Sequence, residues 1–228
     1  MINISSRTHF FSVLTIAMFG SILTSAHAVP VGIGQTVSLP GTSLAAESNL
    51  AGTVEFDNLY SFNQTIASQT YVGTVQERVV RETASGTLDF YWRVTNTGTL
   101  GLDANIGDFR IGNFNIPSTP VNLNYRTDGL GIVAPSSAQR FSGAFQNYFN
   151  FAFQNGIAPG QSSNFLLAET NATSFTQNAS FDVTNVGETN ILYTGTQVSP
   201  TPEPETYAMM LAGLGLVGSI ARRKQRAA

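Results

Sequence analysis

A chain of 228 residues, 42% of them hydrophobic, is long enough to bury the core of one domain, and its formal charge of −3 offers no basic surface for a nucleic acid. Cysteine is absent, which excludes disulfide staples and thiol chemistry. Between residues 29 and 201 there is also no histidine and no lysine, and six arginines against twelve acidic residues leave that stretch at −6.

The chain opens with Arg7 and His9, then an apolar stretch over residues 10–23, then Ala26-His27-Ala28. A basic start, an apolar middle and small residues at the two positions a signal peptidase reads predict a secretory signal over residues 1–28, cut after Ala28. A second domain boundary falls near residue 200, so the expected body is residues 29–200, followed by a C-terminal segment over 201–228.

Within the body the pattern is one of short strands and turns. Residues 29–52, punctuated by Gly, Ser and Pro, predict one or two strands and a loop, and residues 53–62 an early strand. Residues 70–81 follow with Tyr71, Val72, Val75, Val79 and Val80. Their charges Glu77, Arg78 and Arg81, with Glu82, are expected on a solvated edge or outer face. The clearest strand is 87–95: Leu88, Phe90, Trp92 and Val94 share one face, and Asp89, Tyr91, Arg93 and Thr95 the other. Trp92, the only tryptophan, is therefore expected in the core rather than as a sugar-stacking platform.

Further strands are expected at 109–114 and 121–125, then through the aromatic stretch in which Phe141, Phe145, Phe149, Phe151 and Phe153 fall on odd positions. The last three are expected at 164–170, 175–183 and 189–196, giving eight to ten strands with no convincing amphipathic helix. That inventory predicts an all-β domain, an antiparallel β-sandwich.

The residue types left in the body exclude most enzyme chemistry. Without His or Cys there is no Ser-His-Asp triad, no Cys-His pair and no ordinary zinc site, and without Lys no Schiff base. Carboxylate chemistry of the glycosidase kind remains open, but no motif marks a pair among the twelve acids. Neither a cofactor nor enzymatic activity is expected. The oxygen-rich run Asp103-Ala104-Asn105-Ile106-Gly107-Asp108 departs from EF-hand spacing and is read as a turn.

The end of the chain is the most informative part. Pro202-Glu203-Pro204 makes an extended, wet stem, because proline fixes φ and removes a backbone donor. An uncharged apolar run over residues 207–221 follows, then Arg222, Arg223, Lys224 and Arg226. At about 1.5 Å per residue the run reaches roughly 22 Å, a marginal inner-membrane helix, with the basic cluster held on the cytoplasmic side.

These three ordered elements resemble the PEP-CTERM sorting signal of Gram-negative bacteria, also labelled an ice-binding protein C-terminal domain, over residues 200 to 226. The resemblance implies recognition by an exosortase, a membrane-embedded cysteine transpeptidase, with removal of the tail and export to the cell surface or extracellular polysaccharide. It implies nothing about ice binding by this body. The expectation is a structural or exopolysaccharide- and biofilm-associated matrix protein. One rival is a carbohydrate-binding module that stacks sugars on exposed aromatics such as Tyr91, Tyr125 or Tyr148. Another is a secreted, carboxylate-dependent glycoside hydrolase.

Overall fold

The computed structural model describes residues 27–66, 68–114, 121–141, 148–184, 197–201 and 214. Among the described residues twelve strands form two six-stranded sheets in which every strand pairing is antiparallel. The first sheet has the order β1 (Val29–Val31), β7 (Val121–Tyr125), β10 (Leu166–Glu169), β5 (Leu88–Asn96), β4 (Gln69–Glu82), β3 (Gly52–Ile66). The second has the order β12 (Gln197–Thr201), β11 (Ser174–Thr184), β6 (Ile106–Gly112), β9 (Phe149–Ile157), β8 (Ser137–Arg140), β2 (Thr36–Ser38). One 3-10 turn, Ser48–Leu50, interrupts the loop that follows β2.

The sheets face one another across an aromatic core, and alternation along the strands decides which residues enter it. In β5, Leu88, Phe90, Trp92 and Val94 are all fully buried on that inner face. Phe149, Phe151 and Phe153 of β9 meet them from the other side, as the odd-position pattern predicts. Trp92 lies 5.7 Å from Phe149, 5.7 Å from Phe114 and 6.5 Å from Phe109 between ring centroids, so it is the hub of the core. The close sheet contact at Phe62 requires Gly73: a Cβ there would stand 2.3 Å from the Thr95 carbonyl oxygen and 2.5 Å from the Phe62 ring.

Several sequence expectations shift. Strand β8 has no hydrophobic signal and is held by pairing on both sides, to β2 and β9. The strand expected at 189–196 and Phe145 lie outside the described residues, and the final described strand is instead Gln197–Thr201. Pro200 is tolerated there because β12 is an edge strand, where a missing backbone donor breaks no ladder.

Glu77 and Glu82 are not solvated. Glu77 is fully buried, since β4 alternates so that Tyr71, Val75, Glu77 and Val79 point inward, and Trp92 Nε1 donates to its Oε1 at 3.1 Å. Glu82 is also buried, and the Ser85 hydroxyl donates to it. Arg78 and Arg81 keep the expected wet positions, paired with Asp57 and Glu55 of β3 at 2.6 and 2.5 Å.

Candidate functional site

Part of the outer face of the first sheet, over β5, β7 and β10, is covered rather than wet, and the cover is made by the chain between β2 and β3. Gly41 starts it at φ +76°, a conformation that favours glycine, and its N–H donates to the buried Asn124 side chain at 2.9 Å. Thr42 N then donates to the Tyr125 carbonyl at 2.8 Å, and Leu44 N to Asp128 Oδ2 at 2.7 Å. The 3-10 turn drops Leu50 onto a second apolar cluster of Val80, Tyr91, Phe165 and Leu167. Burying a leucine of this kind is worth about 1.5–3 kcal/mol, enough to hold the strap down.

Under and beside this strap two different environments lie side by side. At the Leu88 end of β5, four carboxylates gather: Glu47 on the strap, Glu82, Asp89, and Glu169 on β10 directly opposite Asp89. Burial first, and then the charges of Glu82 and Glu169, push the Asp89 carboxyl up to about 9. Burial and the neighbouring Glu47 raise Glu169 to about 8. One oxygen of Asp89 and one of Glu169 have no hydrogen-bond partner.

Towards the other end of β5 a cleft of about 270 Å³ opens between the start of β3 and the loop after β7. Its floor is Tyr91, Val80 and Phe165, its walls are Leu50 and Leu130, and Arg78 and Arg126 stand at its sides. Arg78 stacks over the Phe165 ring at 5.1 Å, and Arg126 grips Asp128 through Nε and Nη2 at 2.8 and 2.9 Å. Those two bonds hold the Asp128 carboxyl below its ordinary range. Burial, with Asp89 nearby, raises the Tyr91 hydroxyl well above its own. Apolar floor plus planar cations is an arrangement that can take a flat, partly apolar ligand with acceptor oxygens.

The exposed tyrosine cluster expected for sugar stacking is not formed. Tyr91 is buried beneath the strap, Tyr125 packs against the core, and Tyr148 lies against Gly112 of the other sheet. Aromatic identity is legible in sequence, but the strap that covers one tyrosine is not. Asp103 and Asp108 are likewise separate: Asp103 accepts from Thr99 N at 2.5 Å in a turn, and Asp108 in β6 accepts from Asn150 Nδ2 at 2.7 Å.

The last described strand ends at Thr201, paired with Ser174 at the start of β11. The next residue is Pro202. Residues 200–226 match the family described as PEP-CTERM protein-sorting motif. The PEP-CTERM match supports an exported protein sorted by an exosortase. No curated protein and no solved structure matches the chain significantly.

Within the PEP-CTERM segment, Pro202, Glu203 and Pro204, the helix expected at 207–221 apart from Leu214, and the basic residues Arg222, Arg223, Lys224 and Arg226 lie outside the described residues, as does Ala26. Among the described residues no helix is long and apolar enough to cross a membrane. Ala28 is described, half-buried just before β1, with its N–H 3.4 Å from Glu47 Oε1.

Proposed function

We propose that this chain is carried across the inner membrane by a signal peptide removed after Ala28, held briefly by the apolar segment 207–221, and released by exosortase processing near Pro202-Glu203-Pro204. It then acts at the cell surface or in the extracellular matrix as a non-catalytic structural or exopolysaccharide-associated domain. The carrying observation is positional: the last described strand ends at Thr201, one residue before the Pro-Glu-Pro stem. Processing at the stem therefore leaves both sheets intact.

The intact mass of the protein from the cell surface and medium of an exosortase-bearing host tests this reading. A species running from Val29 to near residue 204, with or without an added group, is the expected result. A chain still ending at Ala228 in the surface fraction refutes release by processing.

A second reading, sugar binding, is favoured by the cleft over Tyr91 and Phe165. Arg78 and Arg126, each already paired with one carboxylate, stand beside an apolar lining of Leu50, Val80 and Leu130 and suit an acidic sugar, whose oxygens their remaining N–H groups can grip. Retention on immobilised uronate-containing polysaccharide, lost in Arg126→Ala, supports it. Equal retention of the variant refutes it.

The glycoside hydrolase reading draws less support. The four carboxylates that gather under the strap include Asp89, which is fully buried, where no polysaccharide can reach.

A further inference from the structure

We propose that the α-ammonium group of Val29, created when the signal segment is cut after Ala28, is the counter-ion of the buried Glu47 carboxylate, so that the domain is fully locked only in its processed form. The proposal rests on the signal-segment reading and adds to it a structural role for the new chain end.

The argument begins from a charge deficit. Glu47 is 4% exposed, Glu82 7% and Asp89 0%, and Glu169 stands beside them. Asp89 and Glu169 keep their protons, but a buried carboxylate at Glu47 beside them still needs a cation. Of the arginines on this side, Arg78 pairs with Asp57, Arg81 with Glu55 and Arg126 with Asp128, while Arg93 lies over the Phe165 ring at 5.3 Å. Residues 29–201 hold no lysine and no histidine. Asp89 Oδ1 and Glu169 Oε1, both buried, accept no hydrogen bond.

The chain itself approaches from that side. Thr42 Oγ1 donates to Glu47 Oε2 at 2.9 Å, which leaves Oε1 to face His27 Nδ1 at 3.1 Å and the Ala28 N–H at 3.4 Å. Both of those donors belong to the segment that leaves. Val29 does not leave: it is the first residue of β1, in register with Leu123. Cutting the bond before it places a positively charged nitrogen one residue, about 3.8 Å of backbone, from the position of the Ala28 N–H. An ammonium has donors to spare after strand pairing. Asn124 Nδ2, which donates to the departing His27 carbonyl at 3.2 Å, is released toward the same place.

A device of this kind suits an exported chain. A stabilising contact that exists only after signal removal acts on the far side of the membrane alone.

The test uses the exported protein as purified. N-terminal sequencing comes first: a start at any residue other than Val29 refutes the signal-segment reading and this proposal with it. The rest distinguishes the two. Because residues 29–201 contain no lysine, ¹³C-dimethylation of tail-processed protein labels its α-amine alone. Expected is an amine that titrates about one unit higher in the folded protein than in urea.

Acetylation, which removes the charge, is expected to lower Tm by about 2–4 °C, while dimethylation, which keeps it, leaves Tm unchanged. In Glu47→Gln the acetylation effect disappears. A protein that starts at Val29 but whose amine titrates alike folded and unfolded overturns the proposal, as does an acetylation effect that survives in Glu47→Gln. Stabilisation by calcium that is reversed by a chelator and blind to acetylation also overturns it, in favour of a metal at the carboxylates.

Discussion

Replacing Asp89 by asparagine should flatten the dependence of stability on pH. Asp89 is fully buried opposite Glu169, with Glu82 and Tyr91 as its other ionisable neighbours, and its carboxyl is raised to about 9 by burial and by those two carboxylates. Its unfolded value is near 3.9. Between these limits the native state keeps a proton that the unfolded chain gives up, so the unfolded state binds fewer protons and stability falls as pH rises. The contribution is complete below about pH 4 and is lost as pH climbs through about 9. For one such group the slope is about 1.4 kcal/mol per pH unit, and Glu169, raised to about 8, adds in the same direction.

An asparagine amide donates where the protonated acid does but cannot ionise. Urea unfolding at pH 5, 6, 7 and 8 measures the slope for both proteins. The wild type should lose stability steadily across that range, and Asp89→Asn should lose less per unit by up to about 1.4 kcal/mol, overtaking the wild type at pH 8. Parallel slopes, or a wild type that gains stability from pH 5 to 8, refute the assignment of a bound proton to Asp89.

Trp92→Phe should cost about 2–4 kcal/mol in urea unfolding followed by far-UV circular dichroism, because it removes both the donor to the buried Glu77 and part of the core hub. An effect below about 1 kcal/mol would mean that the Glu77 contact is not formed. Leu50→Ala should cost about 2–3 kcal/mol and expose the strap to limited proteolysis between residues 43 and 51 before the sheets open. Cleavage appearing first elsewhere would show that Leu50 does not hold the strap. Substituting Pro202, Glu203 or Pro204 should leave the body folded but unprocessed in the inner-membrane fraction; normal release of such a variant contradicts exosortase recognition at the stem.

The two ends of this protein and its strand inventory could be read locally. The Pro-Glu-Pro stem, apolar run and basic cluster are contiguous in sequence, so the matched motif needed no fold to be recognised. Strand β5 announced itself because a period of two places Leu88, Phe90, Trp92 and Val94 on one face whatever their partners are.

What only the tertiary structure decided is how the other face is used. Asp89, Tyr91 and Arg93 look solvent-facing by the same alternation, but the strap tied down by Gly41, Thr42, Leu44 and Leu50 covers Asp89 and Tyr91. Glu77 reads as a wet charge until the register of β4 against β5 sets it opposite Trp92. Burial by a distant loop and cross-strand register depend on residues tens of positions apart. A local pattern carries no trace of them, and the carboxylate cluster and the cleft both arise from contacts of that kind.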